Sequence, residues 1–361
     1  EEKNTNMNAK KFRIICFSVA GALLALLIVL SAVVGAFADT LNKFVVGYKD
    51  GGEAGTAARE SGAKLAEQIQ AEGTVLVKNE DKSGNPLLPL SKADADKVVV
   101  LGWAATDWVI SGSGSGQVKT SEGKTNDYTI TLLDALDESG IGYYKAITDY
   151  YESFQNHREF SENGGGIGGA SANAGALKSF NYEFSRLYEP DVENDATYAG
   201  HLDAAKSYSD TALVVIGRVS GESNDSPKVQ YKRVTKNGAI VEDRERTYLE
   251  ISTEEEKLLN YAADNFENVI VLINSTNVME LGFVETIDGI DACLVVATTG
   301  TAGARAIPKL IYSDLTETDE DGNEVTVAYT PSGKFADTYA YDLSTSSTYV
   351  DTGSGNDSTH F

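Results

Sequence analysis

Sulfur and imidazole are scarce in this chain. Its 361 residues include two cysteines, Cys16 and Cys293, and three histidines, His157, His201 and His360. Two cysteines cannot build a disulfide framework. Cys16 lies in a long apolar segment and Cys293 in an expected buried strand, which favours inert thiols over reactive ones. The histidines show no metal-ligand spacing, so no metal is expected. Basic residues are also in deficit. Lys and Arg number 30 against 54 Asp and Glu, for a formal net charge of -24. That balance argues against a nucleic-acid partner, whose phosphates are met by basic patches. Phosphate-loop spacings are missing too. Ser111 to Gly116 is a Gly/Ser run after a strand, but Gln117 breaks the G-x-G-x-x-G pattern and Val118 precedes Lys119 where a P-loop needs G-K-[ST]. An active-site loop is the better reading, a plain linker stays open, and no cofactor is expected.

What is present begins with a membrane signal. The chain opens on Glu1, with Met7 as a candidate start. Lys10, Lys11 and Arg13 precede an apolar run from Ile14 to Ala38, interrupted by Ser18, Gly21, Ser31 and Gly35. Roughly 20 apolar residues suffice to cross about 30 Å of hydrocarbon. The basic flank places residues 1–13 in the cytoplasm. Ala36-Phe-Ala38 before Asp39 also fits a signal-peptidase site, but the run is longer than a signal peptide needs. A retained single-pass anchor over 14–38 is therefore favoured over a cleaved signal. Either one exports the remainder of the chain.

After a polar linker over residues 39–54, strand and helix patterns alternate. A helix is expected from Thr56 to Gly73, a strand over Thr74–Val77, and a central strand over Lys97–Leu101. An amphipathic helix over Thr131–Ser139 and a strand over Gly142–Ile147 come next. Tyr150, Tyr151 and Phe154 read as core aromatics. Gly164 to Gly175 is a Gly/Ala/Ser tract, with a helix near Ala176–Tyr188. Ala212–Ile216, Val269–Ile273 and Ala292–Val296 are short β-branched runs, the pattern of strands buried on both faces. Thr253–Phe266 reads as a helix with a capping box, Thr253-x-x-Glu256. Gly300–Ile311 reads as a Gly-opened helix. Ser226–Arg246 is a polar insertion, Thr316–Thr326 an acidic loop or hairpin, and residues 344–361 a Ser/Thr/Gly/Asp-rich linker. This rhythm predicts an α/β fold, a three-layer α/β/α sandwich over residues 55–343 with a mainly parallel sheet holding Lys97–Leu101, Ala212–Ile216, Val269–Ile273 and Ala292–Val296.

Chemistry is expected just beyond Ile216. Ligands of open α/β sheets sit at the carboxyl ends of strands. There the chain turns polar, through Arg218, Ser220, Gly221, Glu222, Asn224 and Asp225. Gly217-Arg-Val-Ser-Gly-Glu222 resembles the acid/base loop of glycoside hydrolase family 3, the β-glucosidase and β-xylosidase family. Further pieces resemble the same family's sandwich domain, in its order: Glu72 to Asn79 with Leu87 to Leu90, Val98 to Gly102, Ser111 to Gly116, Tyr248 to Ser252, Ile273 to Glu280 and Pro331 to Lys334.

The resemblance implies a retaining mechanism, in which two carboxyl groups about 5–5.5 Å apart flank the glycosidic bond. It implies a nucleophilic Asp on a TIM barrel and the acid/base on the sandwich domain, where Glu222 matches. Arg218, Ser220, Asp225, Ser113 and Ser115 are the expected sugar contacts. The expected partners are a carbohydrate substrate, the barrel and, through the N-terminal helix, a membrane. No segment resembles the barrel or its nucleophile motif. The chain is similar to members in which the sandwich precedes the barrel, with residues 344–361 leading towards it, so by itself it is expected to be inactive. One departure matters. The family often has Gly-Glu-Gly-x-Asp-Arg, whereas Gly221-Glu-Ser-Asn-Asp-Ser226 lacks the Arg. Arg244 or Arg246 are substitutes after the insertion, and Glu242 and Glu245 are reserve acids. The alternative is a non-catalytic, membrane-anchored carbohydrate-binding or scaffold domain.

Overall fold

The computed structural model describes residues 9–38, 52–112, 129–154, 189–220, 229–233, 240–243, 245–319 and 321–346. The chain divides into two compact units, residues 1–62 and 63–361. The first holds a helix over Ala9–Ala36. Its span Lys10–Gly35 contains an 18-residue window of mean hydropathy 2.8, so it is long and apolar enough to cross a membrane. The helix Gly52–Gly73 contains the division between the units.

The second unit is built on one six-stranded, mainly parallel sheet. Its strands are β1 (Val75–Asn79), β2 (Lys97–Leu101), β3 (Gly142–Tyr143), β4 (Thr211–Arg218), β7 (Asn268–Ser275) and β8 (Ala292–Val295). The order is β1-β8-β7-β4-β2-β3. The four strands expected to share a sheet do so, all parallel. Burial on both faces explains their sequences, since Val98 to Leu101, Ala212 to Ile216 and Val269 to Ile273 are all closed to solvent. The longest pairing, β4 with β7, runs from Thr211 opposite Asn268 to Arg218 opposite Ser275. It places Arg218 and Ser275 side by side at the carboxyl ends.

Several elements differ from the sequence pattern. The strand at residues 75–79 joins the sheet antiparallel to β8, which no local pattern announces. The expected strand over Gly142–Ile147 stops at Tyr143, and a helix over Lys145–Phe154 takes over, because helical spacing buries both Ile147 and Tyr151 completely. The helix expected over Gly300–Ile311 is a turn, a 3-10 turn at Gly303–Arg305 and a short α-helix at Ala306–Ile311. The polar insertion carries a hairpin, β5 (Gln230–Arg233) with β6 (Ile240–Asp243). The acidic segment is also a hairpin, β9 (Leu315–Thr318) with β10 (Glu324–Val327). The expected helix near Ala176–Tyr188 lies outside the described residues.

The exit from β2 is tightly fitted against β4. Gly102 has φ +91°, and a Cβ there would sit 2.3 Å from the Val215 carbonyl oxygen. Only glycine meets both conditions. The 3-10 turn Trp103–Ala105 then lies on β4, where a Cβ at Gly217 would meet that of Ala104 at 2.6 Å.

Candidate active site

Four strands end on the same edge, and their loops are laced together by buried polar groups. Asn274, at the end of β7, is the central one. Its Oδ1 accepts from Val109 N at 2.6 Å, and its Nδ2 donates to Val109 O at 2.9 Å and to Ala297 O at 2.7 Å. One amide thus joins the loops after β2 and β8. Trp108 Nε1 donates to Thr299 Oγ1 at 2.8 Å, and Gly300 N to Ile110 O at 2.8 Å. Val109 and Val219 form a small buried pair of their own. The roots of the two loops expected to carry Ser113, Ser115 and Glu222 are therefore in contact.

The Glu222 loop leaves from a fixed base. Arg218 is 3% exposed. Its Nε donates to Tyr248 O at 2.7 Å, its Nη1 to Gly217 O and Glu255 Oε1 at 2.9 and 2.8 Å, and its Nη2 to Glu250 O and Glu255 Oε2 at 2.8 and 2.6 Å. A guanidinium has five N–H donors, and all five are used. A direct bond from Arg218 to a sugar would require breaking one of them. Burial and Glu255 act in opposite senses on Arg218, and its pKa is raised. Glu255 also accepts from Ser252 N at 2.7 Å and so closes the capping box of the helix Thr253–Asn265. The box is one residue earlier than Thr253-x-x-Glu256, because Ser252 as cap turns Glu255 inward to Arg218. The next residue, Glu256, pairs instead with Arg246.

Beyond Arg218 the backbone is held residue by residue. Val219 N donates to Tyr248 Oη at 3.1 Å, and Ser220 N donates to Thr276 Oγ1 at 2.8 Å. Asn277 Nδ2 donates to Ser220 Oγ at 2.7 Å. The hairpin β5–β6 is tied to the same turn, since Gln230 Nε2 donates to Tyr248 O and Glu250 O. Glu222, Asp225, Ser113, Ser115 and Arg244 lie outside the described residues. Of the reserve acids, Glu242 is on β6 and Glu245 is exposed.

A second buried cluster supports the β2 exit. Glu189 Oε2 accepts from Trp103 N at 2.8 Å, and its Oε1 accepts from Tyr198 Oη at 2.5 Å and Tyr151 Oη at 3.1 Å. Tyr151 Oη in turn accepts from Gly102 N at 2.9 Å. Burial pushes the Glu189 carboxyl up to about 8, against the pull of these bonds. Sequence reasoning placed Tyr151 in the core but missed Glu189, two of whose three partners lie 86 and 38 residues away along the chain. Asn274 and Tyr248 fell within recognised motifs, but nothing in the sequence showed what they bind. Among the described residues no group of three His, Cys, Asp or Glu is arranged to hold a metal. Cys293 is buried in β8, which pushes its thiol up to about 12.

Residues 74–360 match the family model described as the glycosyl hydrolase family 3 C-terminal domain. A curated relative, Beta-glucosidase A of Butyrivibrio fibrisolvens, is 26% identical over 299 residues, which is 81% of this chain and 30% of the relative. Beta-glucosidase of Ruminococcus albus is 26% identical over 280 residues, covering 77% of this chain and 23% of that protein. The crystal structure of a β-glucosidase from Paenibacillus barengoltzii superposes with a TM-score of 0.52 at 25% identity, over 81% of this chain and 26% of that one. The chain thus spans about a quarter to a third of the length of the proteins it resembles.

Proposed function

Because the chain belongs to glycosyl hydrolase family 3, through that family's C-terminal domain, we propose that it is the sandwich part of an exported, membrane-anchored retaining β-glycosidase of β-glucosidase type. The domain is read as a three-layer α/β/α sandwich over residues 55–343. Glu222 is its acid/base, and the nucleophilic Asp comes from a TIM barrel. The protonated Glu222 gives its proton to the leaving oxygen while the Asp attacks the anomeric carbon. The same carboxylate then takes a proton from the water that releases the sugar. Ser220, Asp225, Ser113 and Ser115 contact the sugar. Arg218 acts one step back, holding the loop's base.

The observation that carries this reading is the fixed root of the Glu222 loop. Acid catalysis requires a carboxyl held within hydrogen-bond reach of the leaving oxygen. A loop leaving from a saturated, buried guanidinium and from two pinned backbone amides begins at a defined place. The helix Ala9–Ala36 is read as the anchor, with Lys10, Lys11 and Arg13 on the cytoplasmic side.

Glu222→Gln in the enzyme joined to its barrel tests the assignment. Gln keeps the shape but has no proton to give at neutral pH. General acid catalysis supplies about 10²–10⁴-fold, or roughly 3–5 kcal/mol of barrier. Glucosides with poor leaving groups should slow by that factor, and activated aryl glucosides far less. Equal slowing of both, or of neither, removes Glu222 from the role. Glu242 and Glu245 are then the next residues to replace.

A further inference from the structure

Backbone strain sits just past the end of β8. Among the described residues, Ala297 is the non-glycine residue with a left-handed conformation, at φ +50°. A Cβ disfavours that region, so the conformation persists only where surrounding bonds hold it. Two neighbouring residues of β7 supply them. Ile273 O accepts from Val296 N at 3.0 Å and from Ala297 N at 3.2 Å, and Asn274 Nδ2 donates to Ala297 O at 2.7 Å.

The same amide grips the loop after β2. Asn274 is closed to solvent, and it meets Val109 N and Val109 O together, as a strand neighbour's backbone would. The loop after β8 holds the same residues from its own side. Thr299 Oγ1 accepts from Trp108 Nε1, and Gly300 N donates to Ile110 O. Residues 108–110 are thus fixed twice, by Asn274 directly and by a turn whose course Ala297 sets. Both amide hydrogens of Asn274 are used. An Asp there could still accept from Val109 N, but at neutral pH it has no hydrogen for Val109 O or Ala297 O. The Glu222 loop has separate ties, Ser220 N to Thr276 Oγ1 and Thr276 N to Arg218 O at 3.0 Å, which Asn274 does not make. The two loops that Asn274 joins stand at the carboxyl ends of the parallel strands, where open α/β sheets meet their ligands. Ile110, Ser111 and Thr298 are half-buried there, and Ala297 is exposed.

We propose that Asn274 is a positioning residue for the glycosidase reaction, holding the loops after β2 and β8 in one arrangement against the substrate without touching the sugar or moving a proton. The substrate rests on the glycosidase reading. The coupling of the two loops does not involve Glu222.

Two measurements test it. Trp103 and Trp108 are the chain's two tryptophans, so Trp103→Phe leaves Trp108 as the reporter. In the 361-residue chain, held in detergent and folded, adding Asn274→Ala or Asn274→Asp should raise acrylamide quenching of Trp108 at least about twofold. Trp103, read in Trp108→Phe, should not change. A loss of folding stability alone would leave both tryptophans as shielded as before while the chain stays folded. In the enzyme joined to its barrel, both Asn274 variants should raise KM about tenfold, for poor and activated leaving groups alike. A smaller folded fraction would instead lower kcat and leave KM unmoved. If neither Asn274 variant folds, Thr299→Val cuts the Trp108 bond from the other loop, and it should move both readouts in the same direction, KM by about threefold. Glu222→Gln should split the two leaving groups through kcat and leave Trp108 quenching unmoved. If it does not split them while the Asn274 variants still raise KM and expose Trp108, the acid/base assignment falls and this one stands. Unchanged KM overturns the proposal, and so does unchanged quenching of Trp108.

Discussion

Removing the charge of Glu255 while keeping its shape tests whether Arg218 is the fixed point of the loop. In Glu255→Gln the guanidinium keeps its three carbonyl acceptors, those of Gly217, Tyr248 and Glu250, but loses its counter-ion. The new amide also turns a donor towards donors. Breaking a buried pair from one side costs about 3–5 kcal/mol. The surviving carbonyls put the expectation near the lower end, at about 3 kcal/mol. The molecule contains its own control. Arg305 and Glu138 make a bidentate pair with side chains 33% and 44% exposed, a class worth about 0–1 kcal/mol. Urea unfolding followed by the fluorescence of Trp103 and Trp108 measures both, provided the slope m stays constant. Arg218→Met combined with Glu255→Leu should cost less than the sum of the two single replacements, since no charge is then left unpaired, while Ser252 N still loses its cap. If Glu255→Gln costs no more than Glu138→Gln, or the double variant is as unstable as the sum of the singles, the account of Arg218 is wrong.

Two further outcomes are expected. The Glu189 carboxyl lies at about 8 in the folded chain against an ordinary 4.5, so its contribution is fully present below about pH 4.5 and is lost as pH rises towards 8. The slope is at most about 1.4 kcal/mol per pH unit, and Glu189→Gln should flatten it; a variant as pH-dependent as the parent refutes the assignment. Protease added to intact cells should digest the chain beyond Asp39, full protection would remove the outward orientation, and a mature N-terminus at Asp39 would replace the anchor by a cleaved signal.

The core strands were legible because double burial writes itself into composition. Val98 to Leu101 and Val269 to Ile273 are β-branched and leucine-rich wherever both faces are covered. The capping box shows where such local reading stops. Ser252-x-x-Glu255 and Thr253-x-x-Glu256 both satisfy the pattern, and the buried Arg218, 37 residues from Glu255, selects the first. The antiparallel addition of β1 was likewise settled by its neighbour β8, since its own half-buried pattern fits either direction. The loop roots obey the same rule. Asn274 reaches Val109 across 165 residues, and Glu189 reaches Trp103 across 86. Sequence by itself determined which segments become buried strands, because burial is a property of each residue type. Tertiary structure decided which polar groups meet at their ends. A buried donor must find an acceptor, and the acceptor is supplied by whatever the fold brings within about 3 Å.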